Sequence, residues 1–424
     1  MILAMDKLKN ICAYLPTIGL LLVFIALPYR YGAFQRTALY IAGIGFLIDY
    51  AVNCRWRQWT WGKDKWAYVV FILFYLCLPL RQCMAGPGDW LFHTKIESYL
   101  PFLIFGITGL MGGNRTMKLE YVAIALLLGC LSMAVVLSKG MWGVPLTPFE
   151  QWHNQLNMQR IMLINSHMIV NVYCNITLVF GLWLLTRSSV ARWLKITVAV
   201  MMLGVVAGIM LSEGRIGQIT MMLVFLCFVV YRLIQTHWRQ WILPSLVGLA
   251  LVAGVMWHLN PHYHDYSLHD NPRIYVWQVA TSVIMDKPIL GWGASAARSE
   301  FIQRGQNDEN FRTHYMAEYE AGSQYLYGTV NYQIMHPHSA FLEACMESGI
   351  IGLVLLILCM LFPFLCLPTP DQRWFMGMCV LVYATQALVE CFGIGLTPMW
   401  VPLLTFVWTY NASSVILPTS PAHP

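Results

Sequence analysis

"MHPHSAFLEACMESGIIGL", residues 335–353, carries the reading of the whole chain. A polar stretch ends there and a strongly apolar one begins. His336 and His338 stand at the seam, and Glu343 and Glu347 follow inside the apolar run. If that run crosses a bilayer, each ionisable group at its edge is costly to place and points to function.

Outward from the seam, the chain has the composition of a membrane protein. It is 424 residues long, 58% hydrophobic and only 11% charged, where soluble domains carry about 25% charged residues. Mean hydropathy is +0.58. Its apolar runs are continuous, as bilayer-crossing helices of about 20 residues require. They lack the polar–apolar alternation of an outer-membrane barrel. The fold class expected is therefore an all-α polytopic membrane protein. Twelve spans are expected near residues 11–29, 37–53, 66–80, 98–112, 118–137, 161–186, 192–211, 215–233, 241–258, 339–366, 374–392 and 397–416.

Basic residues orient the spans. With the N-terminus in the cytoplasm, fourteen of the 26 Lys and Arg fall on inside segments, among them Lys7, Arg55, Lys65, Arg187 and Arg373. Seven fall on short outside connections: Arg30, Arg36, Arg81, Lys95, Lys139, Arg160 and Arg215. The other five lie in residues 259–337. This bias matches the positive-inside rule, so both termini are expected inside and His338 outside. Most of the 12 cysteines fall in apolar runs and act as small apolar residues. The first apolar run lacks a small-residue cleavage site and reads as a retained helix. Residues 1–424 are expected to form a single membrane domain, with lipids and not nucleic acid as surroundings.

Residues 259–337 form the one long loop, between spans nine and ten, and a loop of that length is expected to fold. Within it, "DNPRIYVWQVATSVIMDKP" predicts a helix capped by Asn271, with Pro272 at its first position. Ile274, Trp277 and Ile284 form the expected apolar stripe. Arg273 lies in the first turn, where free N–H groups favour an anion; a solvated surface arginine is the plainer alternative. Arg215, in "LSEGRIGQ", sits at the outer face at a helix start. It reads either as a functional cation or as a snorkelling arginine paired with Glu213. Glu343 and Glu347 share a helix face, which predicts that one is protonated or paired with a loop arginine.

Histidine and arginines facing outward suit transfer from a diphosphate. Guanidinium forks match phosphate oxygens, and imidazole accepts a proton from an attacking hydroxyl. A second cluster, His258, His262, His264, Asp265, His269 and Asp270, offers metal-ligand types but matches no zinc spacing. No metal or other cofactor is required if arginines supply the positive charge.

The segment "HSAFLEACMESGIIG" fits the pattern H-[NSQ]-x9-G-x-x-G through His338, Ser339, Gly349 and Gly352. It resembles the bacterial O-antigen ligases, whose superfamily includes O-antigen polymerases and O-linked oligosaccharyltransferases. "NPRIYVWQVATSVIMDKPILGWG" is similar to a second superfamily segment through Arg273, Trp277, Pro288, Gly291 and Gly293. Two departures stand out: Ser339 replaces the common asparagine, and His336 lies outside the pattern.

The resemblance implies that His338 is the catalytic residue and Arg215 the essential cation, with Arg273 a third member. It implies a metal-independent, inverting glycosyl transfer from undecaprenyl-diphosphate-linked O-antigen to a hydroxyl of lipid A–core. The enzyme would lie in the inner membrane of a Gram-negative cell with its site toward the periplasm. His336, Ser339, Glu343 and Glu347 are supporting candidates. A polymerase or protein-glycosylating enzyme would use the same donor. A lipid-linked sugar transporter would need charges deep in several spans, and the spans before residue 200 read as nearly uncharged.

Overall fold

A computed structural model describes residues 2–29, 32–58, 61–62, 65–112, 117–141, 167–210, 214–235, 242–259, 271–332, 335–367, 369–391 and 400–413. The described residues are helical almost throughout and contain no strand. The helices are α1 (Ile2–Ala26), α2 (Gly32–Val52), α3 (Lys65–Ala85), α4 (Trp90–Leu110), α5 (Leu119–Met141), α6 (His167–Thr186), α7 (Arg192–Met210), α8 (Arg215–Gln235) and α9 (Ile242–Leu259). After them come α10 (Pro272–Asp286), α11 (Ala294–Asn307), α12 (Ala317–Tyr327), α13 (Ala340–Cys366), α14 (Pro370–Ala387) and α15 (Trp400–Ser413).

Seven of these, α1, α3, α5, α6, α7, α8 and α13, are long and apolar enough to cross a membrane. Their outer faces carry bare apolar side chains, such as Leu203 (70% exposed) on α7 and Ile234 (73%) on α8. Apolar surface that extensive is stable against lipid and not against water. Inside the bundle, the Tyr173 hydroxyl of α6 donates to the carbonyls of Phe24 and Leu126, tying α6 to α1 and α5. Gly129 leaves room for that hydroxyl, because a Cβ there would lie 1.9 Å from it.

The segment between α9 and α13 folds over its described part, as its length required. Asn271 caps α10 by accepting from the Arg273 amide at 3.1 Å, with Pro272 next. The expected apolar stripe needs correction. Val276, Val279, Ala280 and Val283 are the buried face, packed with Ala297, Phe301, Phe311, Met335 and Met346; Trp277 and Ile284 pack at its edge, whereas Ile274 is 38% exposed. Both stripes have helical spacing, and Phe301 and Phe311 happen to meet the valine face.

A second correction concerns Lys95. Helix α4 begins at Trp90, several residues before the expected span, so Lys95 lies within a helix and is buried. Asp49, fully buried at the end of α2, is a further charge in the first half of the chain; it pairs with Arg55 at 3.3 Å.

Helix α13 is broken. Gly349 sits at φ +62°, and the helix bends there. Residues 288–293 fill the break: Ile350 donates to the Pro288 carbonyl (2.8 Å), Trp292 to Met346 (2.9 Å) and Gly293 to Glu347 (2.9 Å). Backbone groups freed by a break at membrane depth need such partners. The close approach demands glycine on both sides. A Cβ on Gly349 would meet the Ile289 carbonyl oxygen at 2.2 Å, and one on Gly291 would meet the Glu347 backbone at 2.5 Å. Arg81 of α3 holds the same loop, donating to the Gly291 carbonyl through Nε (3.1 Å) and Nη2 (2.5 Å).

Candidate active site

His338 stands one residue before the cap of α13. Its φ is +48°, a left-handed conformation that a side chain with a Cβ rarely adopts. Such strain costs about 1–3 kcal/mol and collects at functional sites. The ring is gripped from both sides. The Tyr315 hydroxyl lies 2.9 Å from Nε2, and a Glu390 carboxylate oxygen lies 3.4 Å from Nδ1. Tyr315 belongs to a π-helical turn, Arg312–Met316, a local irregularity common at functional sites. Burial, with the negative charge of Glu390 among the lesser causes, raises the Tyr315 hydroxyl pKa far above its usual range. Tyr315 therefore enters as an O–H donor to Nε2, which leaves the proton of the neutral ring on Nδ1, facing Glu390.

Glu390 is fixed by backbone contacts to the start of α13. The Ala340 amide donates to the Glu390 carbonyl at 2.9 Å, and the Ser339 amide donates to Cys391 Sγ at 3.3 Å. Ser339 is the buried N-cap of α13, its hydroxyl 3.5 Å from the Leu342 amide. His336 touches the same carboxylate, Nε2 to Oε1 at 3.4 Å, while its Nδ1 accepts from the His338 amide at 3.3 Å. Burial and the adjacent His338 lower the His336 pKa to about 3, so this ring stays neutral.

Glu343 and Glu347 are elsewhere. They lie buried on the inner face of α13 with Lys95 of α4 between them, 2.9 Å from Glu343 and in contact with Glu347. Arg298 of α11 adds a contact to Glu343 at 3.3 Å. The expected loop-arginine partner is thus Arg298. All four side chains are at most 6% exposed.

Arg215 begins α8, as expected, and is half-buried; Glu213 lies outside the described residues. Helices α8 and α14 run antiparallel, joined by Gln235 to Asp371 at one end and by Thr220 to Thr385 further along. Arg215 precedes Thr220 by five residues, and Glu390 follows Thr385 by five. At 1.5 Å per residue Arg215 is thus about 7.5 Å beyond that contact along α8, and Glu390 follows the end of α14 by three residues toward the same end of the pair. Arg273 lies in the first turn of α10, in the segment between α9 and α13. Tyr275, two residues on, stacks on His314 at 4.7 Å between centroids, next to Tyr315 in the chain.

Of the loop metal-ligand candidates, His258 is exposed near the end of α9, and His262, His264, Asp265, His269 and Asp270 lie outside the described residues. Sequence reasoning missed Glu390, Tyr315, Lys95 and Arg298. Glu390 and Lys95 were within reach of the rule that singled out Glu343, since each is an ionisable group beside an apolar run. Tyr315 is one aromatic among many in the loop and carries no such mark.

Part of the segment that builds this site matches a known family. Residues 200–357 match the family model described as O-antigen ligase. Two Rickettsia proteins provisionally named polysaccharide ligases, from R. typhi and R. prowazekii, are each 25% identical over 206 residues, 44% of this chain and 47% of theirs. A third, from R. conorii, is 31% identical over 143 residues, 31% of each chain. The match thus spans about half the length of the first two. Arg215, His338 and the Gly349 break all lie inside the matched segment, so residues 200–357 are similar to the O-antigen ligase family.

Proposed function

We propose that this protein is an inner-membrane glycosyltransferase that ligates undecaprenyl-diphosphate-linked O-antigen to a sugar hydroxyl of lipid A–core. The observation that carries the reading is the Glu390–His338–Tyr315 array beside an O-antigen ligase motif. A carboxylate on one ring nitrogen and an exchangeable hydroxyl on the other is the arrangement a general base needs.

In this reading twelve helices span the membrane, both termini face the cytoplasm, and His338 faces the periplasm. The acceptor hydroxyl takes the place of the Tyr315 hydroxyl at Nε2. His338 removes its proton as the oxygen attacks the anomeric carbon, and Glu390 stabilises the imidazolium. The bond from the anomeric carbon to the diphosphate oxygen breaks, and undecaprenyl diphosphate leaves. Arg215 and Arg273, which enter from α8 and α10, hold the departing diphosphate. Direct displacement inverts the anomeric centre and needs no metal. Glu343 and Glu347 support the site through the shape of α13 and do not touch the reacting atoms.

The test is complementation. The chain and its Arg215→Ala variant are expressed at matched levels in a Gram-negative strain that lacks its ligase but makes a compatible donor and core. A lipopolysaccharide ladder with the wild type, lost with Arg215→Ala, is expected. No ladder from well-expressed wild type overturns ligation to this acceptor; longer chains left on the lipid carrier would assign polymerisation instead.

A further inference from the structure

We propose that His336, His338 and Glu390 form a binding site for a zinc-class divalent cation, and that occupying it switches the transferase off. The binding stands on geometry alone; its effect on transfer rests on the function proposed above.

Each of the three side chains offers one ligand atom, and these atoms lie within 4.8 Å of one another. Two imidazoles and one carboxylate are a common protein ligand set for zinc with an open fourth position, and imidazole favours zinc, copper and nickel over magnesium and calcium. The two imidazole–carboxylate contacts end on different carboxylate oxygens, so ligation through one oxygen would draw the three side chains slightly closer. Both imidazole–carboxylate contacts are 3.4 Å, long for a charge-assisted hydrogen bond of about 2.7–2.9 Å. Bonds of about 2.0–2.1 Å to zinc would place neighbouring tetrahedral ligand atoms about 3.3 Å apart.

The backbone serves the same end. Left-handed His338, after Pro337, brings the two rings to 4.3 Å between centroids. An outer partner is in place too: Tyr315 would hold the Nε2–H of a His338 ligated through Nδ1. The cost is one weak contact. Ligation through His336 Nε2 moves that ring's proton to Nδ1 and gives up the 3.3 Å bond from the His338 amide.

The consequence follows from the tautomer. With Nδ1 on the metal, Nε2 carries the proton and cannot accept one from an acceptor hydroxyl. Zinc would inhibit, and a chelator would restore transfer.

The experiment uses purified, tag-free, full-length protein in detergent, titrated with Co²⁺ and followed by absorption. Expected is one Co²⁺ per chain with the intense visible bands of a tetrahedral centre, displaced by Zn²⁺ and lost in His336→Ala and Glu390→Gln. His336→Cys keeps a ligand and should add a thiolate-to-cobalt band in the near ultraviolet, a gain that misfolding cannot mimic. Absence of saturable binding, or binding unchanged in all three variants, overturns the site. In a lipid-linked transfer assay the wild type should lose at least tenfold in rate on saturation with Zn²⁺ and recover with EDTA. Saturated protein that transfers at full rate, or faster, overturns the switch and leaves the site standing. Binding without transfer under any condition counts against the proposed function, not the site.

Discussion

Two ionisable clusters meet helix α13, and they are built differently. At its start, His336, His338, Glu390 and Tyr315 are gathered at distances of 2.9–3.4 Å, on a strained backbone, with the histidine side chains 21–22% exposed. From the first turn of α13 inward, Lys95, Glu343, Glu347 and Arg298 form an ion cluster almost sealed from solvent. In the sequence the histidines and glutamates of both look alike, as ionisable groups beside an apolar run. The outer cluster keeps a ring nitrogen available to an exchangeable partner, which suits chemistry. The inner one couples α4, α11 and α13 beside the break at Gly349, which suits architecture.

The sharpest way to separate them is His338→Ala. Loss of a general base should lower transfer by roughly 10²–10⁴-fold, with the amount of folded protein unchanged. Measured initial rates within threefold of wild type would break the distinction at its first term. Lys95→Met should do the reverse. It strands Glu347 in the interior and leaves Glu343 with Arg298 alone, and removing one partner of a buried ion pair costs about 3–5 kcal/mol. Thermal unfolding in detergent should show a large drop that Lys95→Met/Glu347→Gln partly restores, since the double change leaves one fewer unpaired charge.

Gly349→Ala probes the link between the clusters. At φ +62° and ψ −161° the backbone lies in a region open essentially to glycine alone, where a side chain costs about 1–3 kcal/mol, and the Ile289 carbonyl leaves no space for a methyl group. Hydrogen exchange should quicken at the Trp292 and Gly293 amides, which bond into the break. Unchanged protection there would show that the loop does not depend on the bend.

The smallest effect is in pH. His336 is held neutral by burial and by His338, with its pKa lowered to about 3, against about 6.5 for an unfolded chain. Below about pH 6.5 the unfolded chain binds a proton that the folded ring refuses, so stability falls on acidification. In EDTA, the wild-type unfolding midpoint should drop between pH 8 and pH 5 by more than that of His336→Asn. Parallel pH curves would remove His336 from the buried part of the site.

Much of this architecture was legible. Helix positions follow from the length of apolar runs, and the Asn271–Pro272 cap from local backbone chemistry. The glycine-containing motif was visible as a pattern, but its reason was not. Only the fold shows Gly291 and Gly349 pressed together across some 58 residues of chain. The valine face of α10 was missed, though Trp277 and Ile284 flank it, because two helical stripes compete and the choice belongs to the partners that arrive from α11 and the π turn. Lys95 was assigned to a loop because a lone charge ends a hydropathy window, although its carboxylate partners make burial in a helix tolerable. Glu390 is 52 residues from His338, a pairing that no local rule supplies.

The division between the two clusters is tested most directly by one paired measurement. His338→Ala and Lys95→Met are expressed in the ligase-deficient strain, and each is scored for folded membrane protein by gel filtration and for its lipopolysaccharide ladder. The account predicts wild-type amounts of folded protein and no ladder for His338→Ala. For Lys95→Met it predicts a ladder reduced in proportion to the folded protein that survives. A ladder from His338→Ala, or fully folded Lys95→Met without one, would contradict it.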